Sequence, residues 1–465
     1  CKEMRERFFY FGIPVILIAK NNEGLHEINK MVDKAWSQFY YIPRVSYSDI
    51  NKCSDNIFII SYGEPGHFKY DYMALGPYTP KYIIDYASDF EQPFVSIVDN
   101  YFVNESNRGV FEVISGRNND SKTYPQHLIS DHDRLKLFYN ATDESLLMTS
   151  IIAGQCEAEI STAKMVTFEG GNLKQSCIKG VPRVSQWSGK YEARLKKELK
   201  LIIDKGYEDY FLIVADMVKA AKKKMLVGPA RGSAAGSLVC YLLGITEVDP
   251  VKHGLLFERF MAENRDDLPD IDVDFPDTRR KEVIKYLIKK YGEDNVKQLG
   301  NVLRWKPKSA IGEFSKSLYI SKEEVEELKN VILERSGGDA RANFCIQDTF
   351  ETTEIGKHFI KKYPEIKAVE QVENHASHHG IHASGIIVSN EPVYNFGGIY
   401  SRTEANNIAG TVMMDKRDAD LIGLLKIDVL GLRTLSILQD CAELIGMDYH
   451  DYYKLPLNDE PTLQL

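Results

Sequence analysis

Three carboxylates alternate with three bulky apolar residues in Leu268-Pro269-Asp270-Ile271-Asp272-Val273-Asp274-Phe275. Side chains two apart share one face of a strand. The pattern therefore predicts Asp270, Asp272 and Asp274 on one side and Ile271, Val273 and Phe275 packed on the other. A second strand is predicted at Leu424-Leu425-Lys426-Ile427-Asp428-Val429-Leu430-Gly431-Leu432-Arg433, where Lys426 and Asp428 interrupt an apolar run. Those two share a face, and Leu425, Ile427 and Val429 take the other. Helical spacing appears in Tyr191 to Lys205, where Leu195, Leu199, Ile202 and Ile203 recur and Gly206 suits the position after a helix end. A helix over Tyr210 to Met225 ends in Lys222-Lys223-Lys224, cations suited to a C-terminus, and Val283, Ile284, Leu287, Ile288 and Tyr291 mark another that stops at Gly292.

The texture changes along the chain. Up to about residue 145, short apolar runs such as Pro14 to Ile18 and Phe58 to Ile60 mix with helical stretches such as Glu23 to Trp36, which predicts an α/β unit. Residues 304–383 read as mostly helical and charged, with Ser321 to Glu334 as an example. There is no internal repeat or low-complexity tract.

The 465 residues are enough for roughly two to four domains. With 43% hydrophobic and 27% charged residues, no apolar run of bilayer length and no N-terminal signal pattern, a soluble globular protein of the cytosol is expected. The net charge of −9 argues against a protein that coats nucleic acid indiscriminately, yet permits a local basic groove. Seven scattered cysteines without a CxxC pair predict buried, reduced thiols instead of a zinc ribbon or disulfide framework. The first residue is Cys1 and the last residues carry no terminal signature, so a piece of something longer is expected.

Three like charges on one strand face repel unless cations or donors stand before them. Carboxylates around hard divalent ions are how enzymes hold Mg²⁺ against phosphates, which points to phosphoryl chemistry. A solvated strand face is the alternative. Upstream, Gly228-Pro229-Ala230-Arg231-Gly232-Ser233-Ala234-Ala235-Gly236-Ser237-Leu238 offers backbone N–H groups to an anion. Ser233 or Ser237 can cap the following helix, that helix N-terminus favours negative charge, and Arg231 adds a fork-shaped donor. In the second strand, Asp428 is expected beside the aspartate strand as a further metal ligand, with Lys426 neutralising substrate phosphates; a Lys/Asp pair at a sheet edge is the alternative. The basic stretch Asn301 to Ser309 suits either an anionic partner or a solvated loop. His375, His378, His379 and His382 have the spacing of a metal site but no obvious Cys or carboxylate companions, so packing or ordinary polar contact suffices for them.

A glycine-serine turn, a DxD strand and a distant single aspartate have the layout of a nucleotidyltransferase palm. Val227 to Ser237, Gly254 to Phe260, Pro269-Asp270-Ile271-Asp272 and Ile427 to Leu432 closely resemble the bacterial DNA polymerase III alpha subunits, the C-family replicative polymerases. Tyr191 to Met225 and His378 to Val388 are similar to the flanking segments of that family, and the resemblance runs from about residue 14 to 465. It implies an α+β multidomain fold: a polymerase beta-like nucleotidyltransferase palm with a mixed sheet, a helical thumb insertion and part of an N-terminal α/β polymerase and histidinol phosphatase domain. The implied boundaries are 1–145 for the remnant of that degenerate domain, 146–303 and 384–433 for the palm, 304–383 for the thumb and 434–465 for the start of the fingers.

The same resemblance implies roles. Asp270, Asp272 and Asp428 match the catalytic carboxylates that bind two Mg²⁺ ions, with Asp274 supporting. Arg231, Gly232 and Ser233 match a triphosphate-binding turn, and Arg259 and Lys426 match basic residues near the phosphates. The implied activity is addition of deoxynucleotides to a primer 3′-OH. The implied partners are primer-template DNA, deoxynucleoside triphosphates, a sliding clamp and a proofreading exonuclease, in the cytoplasm of a bacterial cell or phage-infected host and with no membrane. The isolated chain is expected to polymerise poorly, because most of the fingers is missing. A non-catalytic nucleic-acid-binding paralogue is the alternative reading.

Some positions depart from the family. Ala230 stands where glycine is usual, which is expected to stiffen the turn, and Asn301 to Ser309 strays from the usual thumb entry. Leu17 to Leu25 and Phe39 to Arg44 resemble the end of the phosphatase-type domain, but Val98 and Asn100 before Tyr101-Phe102 replace its metal-binding Asp and His. A scaffold is expected there.

Overall fold

A computed structural model describes residues 13–464 except 40–41, 63–67, 77–78, 80, 86–92, 99–102, 105–106, 109, 112–134, 137–140, 265–267, 336–338, 402–406 and 457. Cys1, Tyr40, Tyr41, Asn100, Tyr101 and Phe102, named above, lie outside the described residues. The chain divides into two compact units, one of residues 1–28, 45–159 and 302–380 and one of residues 29–44, 160–301 and 381–465.

In the first unit, β1 (Val15–Ala19), β2 (Ile57–Ser61), β3 (Tyr72–Leu75) and β4 (Phe94–Ser96) form a mixed sheet in that order. β1 is antiparallel to β2, and the other neighbours are parallel. The uninterrupted apolar run of β2 is buried throughout, as a strand covered on both faces must be. The helix Asp143–Ala153 opens with a capping box between Thr142 and Ser145, and a buried Ser145–Ser96 hydroxyl contact of 2.7 Å ties it to β4. Val98 packs with Leu135, Ala141 and Leu146.

Helices Pro307–Ser317, Lys322–Asn330, Cys345–Thr352 and Glu354–Lys362 gather around Ile311, Phe314, Leu328, Ile346 and Phe350. The helix expected from Ser321 starts there, with Ser321 as its cap, but ends at Asn330. The basic stretch at 301–309 is not a loop. Its first part continues a strand to Arg304 and its last part opens the helix at Pro307, while Arg304 and Lys306 both donate to Asn374.

A six-stranded mixed sheet runs in the order β5, β10, β7, β6, β9, β8, with β5 at Asp272–Pro276, β6 at Val296–Arg304, β7 at Ala376–Val388, β8 at Ile399–Tyr400, β9 at Thr411–Val412 and β10 at Leu425–Leu432. In the second unit β10 lies between β5, to which it is parallel, and β7, to which it is antiparallel. Lys426 and Asp428 are therefore not at a sheet edge. Helix Arg280–Tyr291 packs on β10 and helix Arg433–Ile445 on β5. Ile271, Val273, Phe275, Ile427 and Val429 are buried with Phe211, Phe257 and Leu287, which realises the apolar faces of both predicted strands.

Helix ends fall close to expectation. Helix Gly189–Asp204 is followed by Gly206 at φ 68°, and Arg280–Tyr291 by Gly292 at φ 100°, conformations glycine adopts without cost. The helix expected over 210–225 is Glu208–Lys222. Lys222 is not a solvated terminal cation: its ammonium donates to the Gly244 carbonyl at 2.7 Å and pairs with Glu247. The six described cysteines are free thiols. Cys53, Cys177, Cys240 and Cys345 are buried, Cys156 is partly covered, and Cys441 departs from expectation by being exposed. Among the described residues no helix is long and apolar enough to cross a membrane.

Candidate active site

The site is built on β5 and β10. Their parallel register sets Asp428 opposite Asp272, so two carboxylates distant in sequence stand abreast on neighbouring strands, about 4.8 Å apart at the backbone. Asp270 lies two residues earlier, just before β5 begins. Lys426 and Asp428 are both 6% exposed, and their side chains form a close ion pair. The Lys426 ammonium also reaches Asp270 Oδ1 at 3.2 Å, while Lys416 Nζ holds Oδ2 of the same carboxylate at 3.2 Å. The Ser384 hydroxyl on β7 donates to Asp428 Oδ1 at 2.8 Å.

These contacts divide the carboxylates electrostatically. Burial raises the Asp270 pKa, but Lys426 and Lys416 outweigh it and hold the carboxyl below its usual range. Asp272 goes the other way: burial, then repulsion by Asp428 and Asp270, push it up against the pull of Arg231 and Lys426. Burial alone would lower Lys426, yet Asp428 and Asp270 hold its pKa above normal. The region is thus short of positive charge at Asp272, the need a hard cation meets. Lys426, expected near substrate phosphates, pairs here with two of the candidate ligands, Asp428 and Asp270. Among the described residues no group of three or more His, Cys, Asp or Glu side chains converges to hold a metal. Asp272 and Asp428 form a pair of hard oxygen donors, and Asp270 is a third carboxylate, joined to Asp428 through Lys426.

The glycine-serine turn lies against this strand. Gly232 has φ 60°, and a Cβ there would sit 3.4 Å from Asp272 Oδ2. Ala230 does not have a positive φ, so alanine introduces no strain at that position. Arg231 Nη1 donates to Asp274 at 3.1 and 3.4 Å, a pairing the alternation pattern gave no means of anticipating. The helix Leu238–Leu242 is capped by Ser237, not Ser233. Its N-terminus is also already filled: Glu198, fully buried, accepts from the Leu238 and Val239 backbone N–H groups at 3.0 Å and from Ser237 Oγ at 2.9 Å, and it pairs with Arg194. The expected anion-binding helix end is therefore occupied by an internal carboxylate.

Ser233 and Arg259 are exposed and line a cleft of about 690 Å³ together with Asp270, Lys416 and Lys426. Arg259 ends the short turn Phe257–Arg259 and makes no ion pair among the described residues. Arg231, Gly232, Asp272 and Asp428 are not part of the cleft lining. Gly232 adjoins it through the next residue, Ser233, and Asp428 through its partner Lys426. Lys416, Ser384 and Glu198 went unnoticed in the sequence. Lys416 and Ser384 sit in segments whose pattern distinguishes them from no other polar residue, and Glu198 is one of several charges on an amphipathic helix.

Among the described residues the histidines do not converge in a group of three or more. β7 carries His378, His379 and His382 on an extended backbone. His382 Nδ1 accepts from the Gly385 and Ser384 backbone N–H groups at 2.9 and 3.3 Å, which places the ring proton on Nε2, and burial pushes its pKa down against the attraction of Asp428.

Comparison with known proteins shows the family. The family model of the bacterial DNA polymerase III alpha NTPase domain matches residues 171–431, more than half the chain. The DNA polymerase III subunit alpha of Staphylococcus aureus (strain NCTC 8325 / PS 47) is 30% identical over 97% of this chain and 44% of its own length. That of Staphylococcus epidermidis strain RP62A is 32% identical over 74% of this chain and 35% of its own length. The chain thus spans less than half the length of these relatives. With its aspartate strand, its glycine-serine turn and its single-aspartate strand all inside the matched region, the chain belongs to the bacterial DNA polymerase III alpha family.

Proposed function

We propose that this chain carries the nucleotidyl-transfer centre of a replicative DNA polymerase, which joins deoxynucleotides to a primer 3′-OH. The observation that carries the reading is the placement of Asp272 beside Asp428 in the parallel register of β5 and β10. In this reading residues 146–303 and 384–433 are the palm, 304–383 the thumb and 434–465 the start of the fingers, while residues 1–145 are a scaffold without a metal site.

Asp270, Asp272 and Asp428 are the side chains that would hold two Mg²⁺ ions. Bound there, the ions would lower the pKa of the attacking hydroxyl and offset charge on the leaving pyrophosphate. The protein's own part is to bind and orient. Arg231 and Arg259 receive triphosphate oxygens, and Gly232 and Ser233 bring backbone close to them. Lys426 and Lys416 keep Asp270 ionised. Primer-template DNA, deoxynucleoside triphosphates, a sliding clamp and a proofreading exonuclease are the partners this reading entails, in the bacterial cytoplasm.

The test is Mg²⁺-dependent primer extension by the full-length polypeptide containing this chain, with Asp272→Asn as control. Template-directed extension that the substitution reduces by about a thousandfold or more is expected. Equal extension by both proteins overturns the catalytic assignment and leaves a nucleic-acid-binding scaffold.

A further inference from the structure

Asp274 has no role in the reading above, and its surroundings differ from those of its two strand companions. In the register of β5 and β10 it stands opposite Leu430, not another carboxylate. It is 8% exposed and accepts from Arg231 Nη1 through both oxygens. Its carbonyl accepts from the Gly228 N–H at 2.9 Å, and a Cβ added at Gly228 would lie 2.9 Å from Asp274 Cβ. The two ends of the segment 228–231 are thus fixed to one residue, by a backbone contact that requires glycine and by an ion pair.

A guanidinium is a rigid plane with five N–H donors. Asp274 engages Nη1, and the Arg231 side chain remains 46% exposed. A buried acceptor on one edge of the plane fixes where the other edge points. We propose that Asp274 is a positioning residue: it holds the Arg231 guanidinium so that the free edge receives phosphate oxygens of the incoming nucleoside triphosphate, and it takes no part in binding metal. This rests on the polymerase reading. It divides the alternating aspartates by task, with Asp270 and Asp272 facing the metal and Asp274 facing the arginine.

The test compares Asp274→Asn, Asp272→Asn and Arg231→Lys in the full-length polypeptide by steady-state incorporation kinetics and by calorimetric titration with Mg²⁺ alone. Asp274→Asn should raise the KM for the triphosphate by about tenfold or more, with kcat within a factor of about 3. Its Mg²⁺ titration should match wild type, whereas that of Asp272→Asn is weakened. Arg231→Lys keeps the charge but loses the fork, so it should raise KM similarly, and the double variant should be no worse than either single one. A wild-type KM in Asp274→Asn, a loss of Mg²⁺ affinity equal to that of Asp272→Asn, or additive effects in the double variant each overturn the proposal. If Asp274→Asn folds poorly, Arg231→Lys on the exposed side of the pair tests the same contact: a raised KM supports the proposal, and an unchanged KM overturns it. Should wild type fail to extend a primer, the polymerase reading itself has failed. Calorimetric binding of a deoxynucleoside triphosphate then still decides whether Asp274 orients Arg231 toward phosphate, through its loss or retention in Asp274→Asn.

Discussion

The Lys426 ammonium lies between two carboxylates, paired closely with Asp428 and 3.2 Å from Asp270 Oδ1. A single internal cation thus occupies the place where two candidate metal ligands meet, and Asp272 beside them makes no ion pair among the described residues, although Arg231 and Lys426 attract it from farther away. The electrostatic imbalance at Asp272 and the shielding of its neighbours give rise to contrasting behaviours that measurements can separate.

Lys426→Met keeps much of the side-chain volume but strands two carboxylates, one of them buried. Breaking a buried pair from one side costs about 3–5 kcal/mol. Urea denaturation should show a loss of that size, and a second change, Asp428→Asn, should recover part of it. A loss below about 1 kcal/mol would mean that Lys426 is only a surface cation.

Asp270 and Asp272 should respond to pH with opposite signs when metal is chelated. Asp272 titrates above its usual value of about 3.9, so the folded state binds its proton more readily than the unfolded chain does. Its ionised form costs stability at neutral pH, and that cost vanishes as pH falls through the carboxylate range. Asp272→Asn is therefore expected to melt higher than wild type at pH 7 in EDTA, with the gap closing on acidification. Asp270 is held below its usual value, so its contribution is present above the unfolded pKa and lost as pH falls through the folded one. Asp270→Asn should melt lower at pH 7 and converge with wild type in acid. Scanning calorimetry over the pH series reads both slopes, and equal signs for the two variants contradict the assignment.

Gly232 and Ala230 offer a paired test of the turn. Gly232→Ala places a Cβ at φ 60° and 3.4 Å from Asp272 Oδ2, so about 1–2 kcal/mol of stability and most triphosphate binding should be lost. Ala230→Gly introduces glycine where no positive φ demands it, and should lower stability by about 0.4–1 kcal/mol through the unfolded chain alone. Thermal melts with and without a deoxynucleoside triphosphate distinguish the two.

Glu198→Gln removes the buried charge that accepts two backbone N–H groups, the Ser237 hydroxyl and the Arg194 guanidinium. A loss of about 3 kcal/mol is expected in chemical denaturation. If the helix Leu238–Leu242 were instead an open phosphate site, the same substitution would strengthen binding of inorganic phosphate.

Local physics settled much of this protein in advance. The alternation around Asp270 to Phe275 and Leu425 to Val429 specified which side chains join the apolar core, because strand periodicity depends only on neighbours along the chain; that Asp274, Lys426 and Asp428 on the polar face are buried as well was not legible in it. Gly206 and Gly292 marked helix ends because a positive φ is a property of a single residue. The motifs also singled out Asp270, Asp272, Asp428 and Arg231 as candidate site residues before any contact was known.

What the chain folded against itself decided was partnership. That Glu198 closes the helix end offered to phosphate, that Lys222 turns inward to Glu247, that Lys416 reaches Asp270 and that Asp274 takes Arg231 are contacts between residues that no periodicity relates. The opening alternation announced three equivalent carboxylates. Tertiary packing made them unequal, because the fold brings Lys426 and Lys416 to Asp270, the Asp428 carboxylate to Asp272 and Arg231 to Asp274.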